Sequence, residues 1–168
     1  MVKRSVRESG PGLAALKKAL AEVRGSSLRV GLIAGKGGDT SHTDDSTRKM
    51  SIADIAAIHE FGSPKRRIPE RSFLRSTFEE NRNRYVNLLG RLLRQLAEGK
   101  MGVEKLLNVL GLKISTDVRK KITVEGVKPK NAPATIAAKK SDRPLVDTGQ
   151  LARAITYAVE RGLGDKSE

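Results

Sequence analysis

The chain has 168 residues, with 33 lysine plus arginine against 19 aspartate plus glutamate, a formal charge of +14, and no cysteine. The length suits a single domain over 1–168, with flexible ends at 1–12 and 162–168, and 38% apolar residues are too many for a wholly disordered basic tail. The missing cysteine excludes disulfide scaffolds, thiolate zinc sites and cysteine nucleophiles, and no apolar run approaches the roughly 20 residues of a membrane span.

Residues 1–12 are basic and lack the apolar centre of a signal peptide, so the expectation is a soluble chain made in a cytoplasm. Residues 13–23 read as a short helix, because Leu13, Leu16, Leu20 and Val23 recur at three- and four-residue spacing. Residues 28–34 read as a strand, with Val30, Leu32 and Ala34 alternating against Arg29, Gly31 and Ile33. The composition of 35–49 then turns to Gly, Asp, Thr, Ser and His, which cannot build a core, and predicts a mobile loop. A short helix over 51–61 has the Ser51/Asp54 spacing of a capping box, and Gly62 suits its end. Pro64 and Pro69 keep the following link extended, and Pro69 fits the first turn of the next helix.

That helix, predicted over 70–98, carries Leu74, Phe78, Tyr85, Leu89, Leu92 and Leu96 on one seam, widened by Val86, Leu88 and Leu93. A break at 99–102 precedes a second long helix with Val103, Leu107, Leu110, Ile114, Val118 and Ile122 on one face. Gly111 weakens it locally. The two long helices are expected to form a hairpin. Residues 126–144 are basic and interrupted by Pro129, Pro133 and Pro144, an irregular connection with one helical turn at 135–139. A short helix then starts with Asp147 or Thr148 as N-cap, and 155–159 ends the fold as a strand. These elements predict an α+β domain, a small antiparallel sheet packed against long helices.

A charge of +14 attracts polyanions, nucleic acid first among them. Only five aromatic residues exist, and Phe78 and Tyr85 fall in the helical stripe and read as core, so contact with phosphate backbone is expected rather than base stacking. Denser basic stretches are Lys65, Arg66 and Arg67, with Arg71 and Arg75 following; Arg119, Lys120, Lys121, Lys128 and Lys130; and Lys139, Lys140 and Arg143. Each taken alone reads as a solvated loop or helix end.

Several motifs fail on spacing. Gly31, Gly35 and Lys36 are one residue short of a phosphate loop, and Gly37 stands where a Ser or Thr is required. His59-Glu60 begins a zinc-protease helix, but Ser63 stands where the second histidine would be. His42 lies among Asp39, Asp44 and Asp45 without the register of a calcium loop. No carboxylate pair or serine–histidine arrangement stands out, so neither an enzyme nor a cofactor or metal site is expected.

Two segments are distinctive together. The first is Ile55-Ala56-Ala57-Ile58-His59-Glu60-Phe61-Gly62-Ser63-Pro64 followed by Ile68-Pro69-Glu70-Arg71-Ser72-Phe73-Leu74-Arg75. The second is Pro144-Leu145-Val146-Asp147-Thr148-Gly149-Gln150-Leu151, continuing to Ile155-Thr156-Tyr157. Their order and spacing resemble the tail-completion and head–tail connector (neck) proteins of tailed bacteriophages, often labelled tail component or virion morphogenesis proteins. In that family an alanine-rich helix ends in a His-Glu-Phe-Gly-like turn, an Ile-Pro-x-Arg-x-Phe-Leu element leads into a long helix, and a Pro-Leu-x-Asp-Thr-Gly-x-Leu element closes the fold.

The resemblance implies a structural virion protein of the neck that completes the tail end and helps join head to tail. It would assemble with itself in a ring, by analogy a hexamer, and meet neck and tail partners: adaptor, tail terminator and tail tube. The family has no catalytic residues to transfer. Interface candidates are the signature positions Ile58, His59, Glu60, Phe61, Gly62, Pro64, Pro69, Arg71, Phe73, Leu74, Asp147, Thr148, Gly149 and Leu151. Lys65, Arg66, Arg67, Lys128, Lys130, Lys139 and Lys140 are candidates to face DNA or a partner. In physical terms the first segment is a stiff helix–helix link, with Phe61, Phe73 and Leu74 expected to anchor it against the core. The alternative reading is a non-viral basic nucleic-acid-binding protein that contacts phosphate backbone.

Overall fold

The computed structural model describes residues 11–33, 41–42, 50–131, 145 and 149–161. Helix α1 spans Pro11–Arg24 and leads into strand β1, Ser26–Leu32. Within the segment expected as a loop, Ser41–His42 forms a two-residue strand, β2, paired antiparallel with β3, Met50–Ser51. The rest of 35–49 lies outside the described residues, as do the turn expected at 135–139 and the positions Lys139, Lys140, Asp147 and Thr148. Helix α2 is Ile52–Phe61, α3 is Leu74–Ala97 and α4 is Val103–Lys120, the last continued by a wider π-type turn over Lys121–Glu125. A short helix α5, Gln150–Ala154, runs directly into strand β4, Ile155–Arg161.

The fold is α+β, as the periodicities imply. Strands β1 and β4 pair antiparallel from Ser26 opposite Arg161 to Leu32 opposite Ile155. The alternation of β1 puts Leu28, Val30 and Leu32 toward the helices, while Arg29 points outward and forms an ion pair with Glu160 across the strands. Each buried aliphatic side chain on such a face contributes about 1.5–3 kcal/mol relative to exposure.

Helices α3 and α4 form the expected hairpin. Leu92 and Leu96 of α3 meet Val103, Leu106 and Leu107 of α4 at its closed end. At the open end, Tyr85 packs with Ile114 and Val118. The Tyr85 hydroxyl donates to Asp117 at 3.1 Å, and Lys121 donates to both carboxylate oxygens of Glu80 at 2.8 Å. Burial, and then the Asp117 carboxylate, push the Tyr85 phenol well above its ordinary value.

Four sequence expectations need correction. First, Phe78 and Val86 are 52% and 59% exposed, whereas Tyr85 is 5% exposed. The stripe on α3 is wider than the surface its neighbours cover, and Phe78 keeps only a tilted ring contact with Tyr85, centroids 5.7 Å apart. Second, Gly111 is buried and is a packing position rather than a weak point: a Cβ there would lie 2.5 Å from Tyr157 Cδ2 and 2.8 Å from Leu28 Cδ1. The bare backbone of α4 lets the β1–β4 pair sit on the helix. Third, α3 begins at Leu74 rather than near 70, so Pro69 lies ahead of the helix and not in its first turn. Fourth, the N-cap of α5 is Gly149, in the left-handed conformation with φ 71° and ψ 5°, and not Asp147 or Thr148.

Candidate functional site

The resemblance concentrates on the link between α2 and α3, and the structure shows how that link is built. Helix α2 starts with a complete capping box. Ser51 Oγ accepts the Asp54 N–H at 3.1 Å, and Asp54 Oδ2 accepts the Ser51 N–H at 3.1 Å. The Ser51 hydroxyl, which donates to Asp54 Oδ2 at 2.8 Å, and then the Ser51 N–H hold the Asp54 carboxyl below its ordinary range.

After α2, Gly62 takes φ 74° with an extended ψ of 172°. A Cβ at this position would lie 2.9 Å from the Glu70 nitrogen and 3.2 Å from the Ile68 oxygen. The chain therefore crosses itself here, which only glycine permits. Between the crossing strands, residues 63–68 form a closed hairpin. Ser63 N donates to Ile68 O at 2.8 Å and Ile68 N donates to Ser63 O at 3.0 Å. Pro64–Arg66 makes a single 3₁₀ turn, and Arg67 closes it in the left-handed region with φ 53° and its N–H on Pro64 O.

The beginning of α3 is satisfied by a side chain from another helix. A helix leaves its first N–H groups without internal partners. Glu60, 6% exposed near the end of α2, fills three of them. Its Oε2 accepts from Phe73 N at 2.8 Å and Leu74 N at 2.9 Å, and its Oε1 accepts from Arg75 N at 3.0 Å and from the Ser72 hydroxyl at 2.7 Å. Ser72 Oγ in turn accepts the Ser76 N–H at 3.1 Å. The four N–H groups from Phe73 to Ser76 are thus all paired. Helix α3 starts where this carboxylate sits, which explains its offset from the sequence expectation.

Burial disfavours the ionised form of Glu60, but the bonds from Leu74, Arg75, Ser72 and Phe73 together outweigh it and hold the carboxyl below its ordinary range. The positive end of the α3 dipole acts in the same direction.

Arg71 makes the second tie. Its N–H donates to the His59 carbonyl at 2.7 Å. Its buried guanidinium donates through Nε to the Pro129 carbonyl at 2.8 Å and through Nη2 to the Lys130 carbonyl at 3.3 Å. The segment after α4 is thereby tied to the link between α2 and α3. Burial lowers the guanidinium pKa, and an arginine stays cationic there.

The two distinctive segments, remote in sequence, share one core. Ala56 of α2 and Phe73 pack in the same buried cluster as Leu151, Ala152 and Ile155, with Leu145 against it. Arg119 of α4 holds the α5–β4 junction by donating from Nε and Nη2 to the Ile155 carbonyl at 3.0 and 2.6 Å.

Of the anchors expected for the link, Phe73 is buried and Leu74 half-buried, but Phe61 is 69% exposed. Phe61 follows buried Glu60 by one residue, and one residue of helix rotates a side chain about 100° away. Ile58 and His59 are half-buried, and Pro64 and Pro69 are exposed. Lys65, Arg66, Arg67, Lys128 and Lys130 are all exposed. Sequence reasoning placed Glu60 and Arg71 only by resemblance. The signal it passed over was a carboxylate, Glu60, at the end of a helix, Ile52–Phe61, that is mostly apolar after its Asp54 cap.

Among the described residues, no group of three or more His, Cys, Asp or Glu side chains is placed to hold a metal ion, and no helix is long and apolar enough to cross a membrane. No family model, curated protein or solved structure matches the chain.

Proposed function

We propose that this chain is a structural virion protein of the phage neck, which completes the tail end and helps join head to tail. The observation that supports it is the convergence of the two signature segments on one joint and one core. Positions with a motif character in the sequence prove to be its structural parts: Glu60 starts α3, Gly62 allows the crossing, Arg71 ties in the segment after α4, and Phe73 and Leu151 fill the core. Such a joint holds an exposed hairpin and an exposed Phe61 in fixed geometry, which suits recognition by shape. Every lone pair direction of Glu60 is engaged by a donor from the protein, so the buried carboxylate serves the fold.

In this reading the subunit acts by surface complementarity in a closed ring, by analogy a hexamer, with adaptor, tail terminator or tail-tube proteins as neighbours. A ring of identical subunits needs two different patches on each copy. The site of action is the virion, after assembly in the host cytoplasm.

Deletion of the gene in the parent phage, followed by electron microscopy of the lysate, tests the proposal. Separate full heads and unjoined tails are expected, and normal infectious particles would overturn it. The competing reading is a non-viral basic nucleic-acid-binding protein. Tight, sequence-dependent binding to duplex by the isolated chain would favour that reading instead.

A further inference from the structure

Among the described residues, two sets of cations contrast. Arg29, Arg75, Lys100, Lys113, Lys120 and Lys121 each lie against a carboxylate. Lys65, Arg67, Lys128 and Lys130 are exposed and stand in no ion pair, and Arg66 reaches only the Met50 sulfur at 3.2 Å. These five residues belong to two segments that Arg71 joins.

The geometry points to a binding surface: the hairpin 63–68 and the segment 128–130 together form a cationic ridge that contacts the phosphates of double-stranded nucleic acid. This rests on the chain's own residues and does not depend on the neck assignment.

The two segments are close because of Arg71. Its guanidinium lies on the carbonyls of Pro129 and Lys130, and its Cα is at most about 14 Å from the Arg67 Cα, four residues along the chain. The tie turns those carbonyls inward, while the side chains of Lys128 and Lys130 are exposed. The hairpin is held by its two backbone bonds and by the left-handed Arg67, so little backbone entropy remains to be lost when the cations meet a ligand.

The nearest acidic neighbours in sequence are already engaged. Glu60 is buried on the α3 terminus and Glu70 pairs with Arg75. Among the described residues no carboxylate pairs with the ridge, on a chain whose formal charge is +14. A regular polyanion rewards such an arrangement, because each neutralised phosphate releases condensed counterions.

Duplex is favoured over single strands because Phe61 is one exposed ring beside the hairpin, and a single-strand track requires successive stacking platforms. The contacts are to backbone, so the binding carries no sequence preference.

The test is fluorescence anisotropy with labelled 20-base-pair duplexes of unrelated sequence, between 50 and 200 mM salt. Similar affinities for all duplexes are expected, with log K falling against log salt at a slope of about −4.5 for roughly five phosphates. The variant Lys65→Ser/Arg67→Ser/Lys128→Ser/Lys130→Ser should lower the affinity at 50 mM salt at least tenfold and flatten the slope by about 3.6. A control variant, Lys17→Ser/Lys18→Ser/Arg24→Ser/Lys105→Ser, removes the same charge elsewhere and should lose less than threefold. Thermal unfolding followed by circular dichroism confirms that both variants fold.

The proposal is overturned if wild-type protein fails to bind duplex at 50 mM salt, or if the ridge and control variants lose affinity equally. Equal affinity for poly-glutamate and duplex would also overturn it and assign the ridge to an acidic protein partner.

Discussion

Glu60 Oε2 accepts the backbone N–H of Phe73 at 2.8 Å, across 13 residues of sequence. One carboxylate from α2 thereby sets where α3 begins, and does what a local N-cap side chain does in most helices. The N-cap residue itself, Phe73, offers no side-chain cap and is buried instead.

Removing this carboxylate leaves three backbone N–H groups and the Ser72 hydroxyl without their acceptor. We expect Glu60→Ala to lower unfolding stability by about 3 kcal/mol and Glu60→Gln by about 2 kcal/mol, since a hydrogen bond to a charged group contributes about 1.5–3 kcal/mol. Urea denaturation at pH 7 measures both. A change below 0.5 kcal/mol for Glu60→Ala would show that the helix start does not depend on it.

The same residue predicts a pH dependence. Its carboxyl titrates below the ordinary glutamate value of 4.5, so the folded state binds its proton less readily than the unfolded state. That contribution is fully present above the unfolded pKa and is lost as pH falls through the lower folded value. Asp54 shifts in the same direction and adds to the acid loss. Urea midpoints taken from pH 6 down to pH 3 should fall for wild type and fall less for Glu60→Gln, the difference isolating Glu60.

Arg71 spans two carbonyls with the planar fork of one guanidinium. We expect Arg71→Lys to lose about 1–2 kcal/mol, because an ammonium does not reproduce the two-point geometry. Hydrogen exchange should quicken around 127–131 and change little in the hairpin between α3 and α4. Unchanged exchange there would remove the proposed tie.

Gly111 and Gly62 separate two uses of glycine. At Gly111 φ is ordinary, and the obstacles are the Tyr157 ring 2.5 Å and Leu28 Cδ1 2.8 Å from the missing Cβ. Overpacking typically costs about 1–3 kcal/mol, partly offset by about 1 kcal/mol of helix propensity, so Gly111→Ala should lose about 1 kcal/mol. Adding Tyr157→Ala should remove the larger part of the Gly111→Ala cost and leave the contact with Leu28. At Gly62 the obstacle is backbone, and φ is 74°. Gly62→Ala is therefore expected to cost about 2–3 kcal/mol whatever its neighbours become. Thermal denaturation of the single and double variants checks both.

The surface ring of Phe61 carries no such cost. Phe61→Ser should change stability by less than about 0.5 kcal/mol, as for other exposed substitutions. Under the proposed neck function, Phe61→Ser should still reduce head–tail joining in the parent phage, which infectious titre measures.

The sequence by itself determined the elements and much of their facing. Three- and four-residue spacing marked the α3–α4 hairpin, two-residue alternation marked β1, and Ser51 with Asp54 marked the start of α2. These signals are local, because helix and strand periodicity is written in consecutive side chains. The coverage of each stripe was not local. Phe78 and Tyr85 lie on the same side of α3, yet only Tyr85 has Asp117 and the α4 face against it. The roles of Glu60, Arg71 and Gly111 depend on partners at Phe73, Pro129 and Tyr157, which no spacing rule connects to them. Only the tertiary structure decided that Glu60 and Arg71 of the signature are internal fasteners, and that Lys65, Arg66 and Arg67 between them face outward.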